Sequence, residues 1–246
     1  MATSTSRSPS TRRLKSALKA RLPTAARSYL RLWEDLRRWA LGRRHLQEVF
    51  AHIHAVNLWG DAETVSGPGS SLHATRVLRR ELPPLLRELG VRTLLDAACG
   101  DCHWIARTPL AVDSYVGIDI VPEIIAANRR RLADSQHRFE VLDLTRDPLP
   151  RADMILCRDC FIHLSFPYIF AALRNFKTSG AEYLLTTTYG GLDANGDILS
   201  GEWRPIDLEQ PPLCFPHPLR RFEELRCEDG GRTISRQLGL WRLEDL

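Results

Sequence analysis

Between residues 93 and 187, short apolar runs without alternation take turns with segments whose apolar residues return every three or four positions. Runs of the first kind mark parallel strands buried on both faces, and segments of the second kind mark amphipathic helices. The pattern predicts strands over Thr93–Ala97, Tyr115–Asp119, Arg138–Leu142, Ala152–Cys157 and Glu182–Thr187. Helices are predicted over Pro122–Ala133 and Phe166–Phe176, with Pro122 suited to a first turn. Two further short strands, around Leu219–Leu225 and Gly239–Leu243, are expected to close the sheet with an antiparallel edge. The fold class that follows is α/β: a doubly wound, mostly parallel, seven-stranded Rossmann-like sheet with helices on both faces.

Three other stretches frame that sheet. Residues 46–92 are read as a lid and helical cap. In the helix from His73 to Gly90, Val77, Leu78, Leu82, Leu85, Leu86 and Leu89 face inward; Pro83-Pro84 kinks or restarts it, and Gly90 ends it. Before it, Asn57-Leu58-Trp59-Gly60 and the cluster Ser66-Gly67-Pro68-Gly69-Ser70-Ser71 form either a lid over a ligand or a plain linker. After the fifth strand, residues 189–218 are rich in Gly and Pro, and an irregular loop of that length in a compact domain is usually functional. The sheet domain with this loop spans 93–246.

Charge separates the first 45 residues from the rest. Residues 1–44 carry twelve Lys or Arg against two acids, net +10, and the remaining chain carries 22 against 28, net −6. A mildly acidic body is not built to follow a phosphate backbone, which weighs against nucleic acid as the partner. The arm has helical stretches over 14–41 with Leu30, Trp33 and Leu36 near one face. It packs on the body, lies on an anionic membrane surface as a peripheral contact of residues 14–44, or serves as a transit peptide. Six cysteines without a secretory signal point to a reducing, cytoplasmic compartment, and no apolar run approaches bilayer length. Oligomeric state is open.

The chemistry gathers at strand ends. Leu94-Leu95-Asp96-Ala97-Ala98-Cys99-Gly100-Asp101 runs from a buried strand into a turn of small residues, where a ligand can approach the backbone closely. An acid, Asp119, ends the second strand 23 positions after Asp96, as expected of a carboxylate that accepts ribose hydroxyls. No GxGxxG follows the first strand, which argues against a nicotinamide dinucleotide. LLDAACGD, VGIDI, EVLDL and DMILCRD, in that order, resemble four motifs of the class I S-adenosylmethionine-dependent methyltransferases, and the likeness covers roughly 57–246. The resemblance implies S-adenosylmethionine as cofactor, with Asp96 near the methionine amino group and Gly100 giving the backbone access. It further implies Asp119 on the ribose, Asp143 on the adenine amino group and the Leu144 amide facing the ring, with Ala98, Ile120 and Arg158 completing the set. Where the family often has three alternate glycines, this chain has Ala98, Gly100 and Cys102, and Cys102 is the departure.

Methyl transfer is an in-line displacement, and a hydroxyl acceptor also needs a base. The candidates are His163 as base with Asp159 orienting it, at i and i+4 on one helical face; otherwise Asp159 caps a turn and His163 is a satisfied imidazole. Trp59, Trp203 and Arg204, with Asp207, are candidates for shaping the acceptor pocket; alternatively Trp203 pins the loop. Cys99/Cys102 and Cys157/Cys160 are read as small buried hydrophobes and no metal is expected, since 54 residues separate the first and second pair. The expected activity is methyl transfer to a small-molecule or glycan-type acceptor, O- rather than N-. The alternative is a non-catalytic module that the arm tethers to a membrane or an acidic partner.

Overall fold

The computed structural model of the protein describes residues 45–229 and 232–246, so the expectations for the basic arm lie outside the described residues. The described residues form one compact unit. Its helices are α1 (Leu46–Ala55), α2 (Arg76–Glu88), α3 (Pro122–Leu132) and α4 (Phe166–Ser179). Its strands are β1 (Thr93–Ala97), β2 (Ser114–Asp119), β3 (His137–Val141), β4 (Met154–Cys157), β5 (Tyr183–Gly190), β6 (Arg220–Asp229) and β7 (Arg232–Arg242).

The seven strands form one sheet in the order β3-β2-β1-β4-β5-β7-β6. The first five are parallel; β7 runs antiparallel to β5, and β6 pairs with β7 as a hairpin. Alternate residues of each strand serve opposite faces, as the pleat requires. Leu95, Val116, Ile155 and Leu184 pack with Ile169, Ala172 and Phe176 of α4. Their neighbours Leu94, Tyr115, Met154 and Leu185 pack with Leu78, Leu82, Leu85 and Leu86 of α2 and Ile125 of α3. Both faces are therefore covered, which is why the central strands read as unbroken apolar runs.

The structure departs from these expectations at two points. Pro83 and Pro84 do not restart α2, which is assigned as one helix through Glu88. Each removes a backbone donor, but burial of Leu82, Leu85 and Leu86 at 0–1 % exposure holds the helix through the gap. The closing strands are ten and eleven residues long, far longer than expected. Their exposed side carries Arg221, Glu223 and Leu225, and the polar content hides the strand from a reading based on apolar runs. Within the stretch read as lid and helical cap, α1 buries Leu46, Val49 and Ile53 at helical spacing.

α4 shows how local chemistry sets an element. A proline in its first turn spares a backbone N–H, Asp197 Oδ1 accepts the Phe166 N–H at 2.9 Å, and Gly180 at φ +81° ends the helix.

Candidate active site

The carboxyl ends of β1 to β5 open into a cavity of about 430 Å³, within the range of small-molecule sites. Strand order lays out its contents. Asp143 follows β3, Asp119 ends β2, Asp96 lies near the end of β1, and Arg158 and Asp159 follow β4. Of the residues expected to bind cofactor or acceptor, Arg204 and Asp207 do not line this cavity; Trp59, Ala98, Gly100, Ile120, Leu144, His163 and Trp203 do.

The turn after β1 is built for close approach. Gly100 sits at φ +55°, and a Cβ there would lie 2.2 Å from Ser66 Oγ. Cys102, the departure from the glycine pattern, takes φ +54° all the same. Its buried thiol lies 3.5 Å from the Tyr115 hydroxyl and 3.4 Å from Asn128 Nδ2, contacts that hold a side chain in a conformation glycine normally fills. Asn128 also donates to the Gly100 carbonyl at 2.7 Å. Among the described residues no group of three or more His, Cys, Asp or Glu is placed to hold a metal ion.

The carboxylates differ in how far the protein satisfies them. Asp119 accepts the backbone N–H groups of Gly100 (3.0 Å) and Val121 (2.9 Å), one on each oxygen, and burial raises its pKa. Asp143 accepts the Thr145 amide at 2.9 Å and hydroxyl at 2.6 Å and lies 3.2 Å from Arg146. Asp96 accepts one bond, from Tyr115 Oη at 2.7 Å; burial, with Asp119 adding to it and Tyr115 opposing, lifts its pKa to about 7. His54, on the face of α1 that also brings Leu46 and Phe50 to the cavity, has its Nδ1 buried without a partner.

The segment around Gly67-Pro68-Gly69 lies against the cavity and is clasped to the β1 turn. Asp101 accepts the Thr64 hydroxyl (2.8 and 2.9 Å), the Ser66 hydroxyl (2.9 Å) and the Val65 amide (3.2 Å), and its own amide donates to Ser66 Oγ. Arg158 Nη2 donates to the Gly69 carbonyl at 2.8 Å.

At the other end lies a buried cluster of four charges that the sequence reading missed. Arg158 pairs with Glu224 (3.0 Å) and Asp159 (3.1 Å). Arg236 reaches Asp159 at 3.3 Å and has its Nε 3.2 Å from Glu224, without hydrogen-bond alignment. Glu224 enters through a bulge: Glu223 pairs with Gln237 and Leu225 with Arg236, so Glu224 is the extra residue and turns inward. Burial raises its pKa more than the two arginines lower it. Burial also works to raise that of Asp159, but Arg158 and Arg236 carry it below the ordinary value. The only sequence signal was an acidic pair, Glu223-Glu224, inside a strand.

The expected Asp159–His163 pairing is corrected. Asp159 is at φ +53°, and only Phe161–His163 coil, as a short 3₁₀ turn. Asp159 turns to Arg158, Arg236 and the Thr187 hydroxyl, since two guanidinium groups outcompete one imidazole. His163 instead places Nδ1 2.9 Å from the Glu202 carbonyl and stacks on Trp59 with ring centroids 4.9 Å apart. A carbonyl only accepts, so Nδ1 carries the proton and Nε2 holds the lone pair. Burial lowers the pKa of His163, partly offset by the Glu202 carbonyl.

Arg204 is not a pocket residue. It is buried, with its guanidinium donating to the carbonyls of Phe161, Leu164 and Gly196 at 2.8–2.9 Å. It holds the late loop to the 3₁₀ turn that carries His163. Asp207 accepts the Glu209 amide and is likewise absent from the cavity. Trp203 stands at the mouth, 49 % exposed, edge-on to Tyr189.

A parallel sheet in this order, with acids at the ends of its first three strands, defines the nucleotide-binding class of doubly wound proteins. Residues 94–179 match the family model described as a methyltransferase domain. A methyltransferase of Leishmania major described as SAM-dependent superposes with a TM-score of 0.60 at 14 % identity, covering 82 % of this chain and 88 % of that one. Magnesium protoporphyrin IX methyltransferase from Synechocystis, solved with SAH, gives 0.50 at 11 % identity, covering 79 % and 100 %. No curated protein matches the chain. Within residues 94–179 the chain carries a methyltransferase domain, and its sheet has the fold of the class I S-adenosylmethionine-dependent methyltransferases.

The cavity suits that family's cofactor: a turn at Gly100 with no side chain of its own, a backbone-anchored carboxylate at Asp119 and a nearly unpartnered one at Asp96. No helix among the described residues is long and apolar enough to cross a membrane.

Proposed function

We propose that the protein methylates a hydroxyl of a small-molecule or glycan-type acceptor, with His163 as the general base. The observation that carries this reading is the His163–Glu202 contact at 2.9 Å, which leaves Nε2 as a free acceptor among the residues lining the cavity. Burial keeps the imidazole neutral, the form a base requires.

S-adenosylmethionine supplies a sulfonium methyl carbon open to in-line displacement. The chain's part is alignment and proton removal. Asp119 holds the ribose hydroxyls, and Asp143 with the Leu144 amide meets the adenine. Ala98, Gly100 and Ile120 let the backbone approach, and Asp96 faces the methionine ammonium. Arg158 acts here through position: with its donors directed to Glu224, Asp159 and Gly69, it fixes the segment over the cofactor. Trp59, Tyr189 and Trp203 wall the acceptor end with flat apolar surface, and the charges beneath them cancel in pairs. Such a wall favours an uncharged ring, sugar or aromatic, over an ionic acceptor. The reading places the protein in the cytoplasm, with the basic arm of residues 14–44 as a candidate for peripheral contact with an anionic membrane or for packing on the body. Vesicle co-sedimentation of the full chain checks that contact.

The deciding experiment is transfer of labelled methyl from S-adenosylmethionine to hydroxylated aromatics, glycans and matched amines. Label on oxygen supports the reading, and label on nitrogen alone overturns it.

A further inference from the structure

The carboxyl group of Asp96 has an unusual setting. It is 4 % exposed, lines the cavity and accepts a single hydrogen bond, from Tyr115 Oη at 2.7 Å. No basic side chain among the described residues forms an ion pair with it. From β2 it is faced by Tyr115 and by the like charge of Asp119; from β4 and the residue after it by the Cys157 thiol and Arg158; and from its own turn by the thiol of Cys99. Arg158 is the one cation of that group, and its donors go to Glu224, Asp159 and the Gly69 carbonyl. A carboxylate shut away from water beside a second carboxylate, with no cation of its own, is costly to ionise.

We infer that Asp96 holds a proton in the cofactor-free enzyme and releases it when the cofactor's ammonium group enters, and that Tyr115 is the positioning residue that sets how readily it does so. This rests on the placing of the methionine end of the cofactor beside Asp96. The step is a simple ionisation. The carboxyl O–H bond breaks, the electron pair stays on oxygen, and the proton passes to the buffer. The incoming ammonium supplies the counter-charge the protein withholds. Tyr115 donates to the ionised form, so it eases the release and keeps the free oxygen available to the ligand. Its own hydroxyl stays protonated, since burial and then Asp96 push its pKa up. The value of about 7 for Asp96 agrees with this geometry and places the change near neutrality.

The consequence is a cofactor affinity that depends on pH in a definite sense. Because the ionised form binds, affinity falls as pH drops, by about tenfold between pH 8 and pH 6 for a group titrating near 7. The test is calorimetric titration of the full chain with S-adenosylhomocysteine at pH 7, in phosphate and in Tris. These buffers differ in the heat they release on taking up a proton. Release of about half a proton is expected, with Asp96→Asn abolishing the buffer difference and flattening the pH profile. Equal heats in the two buffers for the wild-type chain overturn the inference without any variant. So does a buffer difference that persists in Asp96→Asn, since the proton then comes from elsewhere. Tyr115→Phe is expected to move the midpoint of the affinity profile to higher pH, leaving affinity well above the midpoint near wild type. A uniform loss at every pH overturns the role of Tyr115, because a merely structural tyrosine would act that way. Absence of heat in either buffer instead strikes the placing of the cofactor, and this inference with it.

Discussion

The two halves of the cavity are built by different means. In the cofactor half, strands β1 to β3 end in acids, and backbone amides within a few residues of each strand end hold two of them: Gly100 and Val121 on Asp119, Thr145 on Asp143. In the acceptor half, the positions are set by side chains far apart in the chain. Arg158 bonds Glu224 across 66 residues, Arg236 reaches Asp159 across 77, and His163 leans on Glu202 across 39. A scaffold of the first kind can be read from short motifs, whereas one of the second kind exists only once the hairpin β6–β7 and the late loop have docked. This suits a protein whose cofactor is common to a family and whose acceptor is its own.

The contrast can be broken most sharply at the base. His163→Ala is expected to lower turnover by about 10²- to 10⁴-fold while cofactor affinity stays within about twofold. A parallel fall in cofactor affinity would show that the two halves are not separate. The pH profile sharpens the same point. In the proposed role His163 acts as the neutral imidazole, and burial lowers its pKa from the ordinary 6.5, so the acid limb of kcat should lie below pH 6.5 and vanish in the variant.

Next in size is Glu224→Ala. Removing one of two acids from a buried set with two arginines leaves an uncompensated charge, at an expected cost of about 3–5 kcal/mol in chemical denaturation. A loss under about 1 kcal/mol would mean that the hairpin is not tied through this cluster.

Asp119→Ala tests the other half. It removes an acceptor for two backbone amides and, on the proposed reading, for the ribose, and cofactor affinity should fall by about 10- to 100-fold, read by calorimetry. Turnover at saturating cofactor should change far less than in His163→Ala. The smallest effect on folding is expected at Trp203, half exposed at the mouth. Trp203→Ala should shift stability by no more than about 0.5 kcal/mol while raising the acceptor KM. An unchanged KM would make Trp203 a loop anchor only.

Legibility in the sequence follows the same divide. Thr93–Ala97 was placed to the residue, and β2, β3 and β4 to within one or two, because buried parallel strands are apolar throughout. The hairpin was cut short because its two strands mix Arg, Glu, Ser and Gln among their apolar residues, which breaks the apolar run. Asp159 and His163 were joined by a helical spacing that the chain does not adopt, since φ +53° at Asp159 breaks the coil before it starts. Arg204 reads as an anion binder by type, but its partners are three carbonyls that no local pattern announces. Tyr115 passed as one more apolar strand residue, and only the register of β1 against β2 sets its hydroxyl against Asp96.

The amino-acid sequence by itself determined the sheet, the order of the acids along it and the turn that admits a nucleotide. These depend on periodicity and on residues adjacent in the chain. Tertiary structure alone decided which nitrogen of His163 is free, which charges meet in the Arg158–Glu224 cluster and why Asp96 lacks a cation. Each of those is a choice among competing partners. Such choices are settled by distance and burial, which sequence separation does not record.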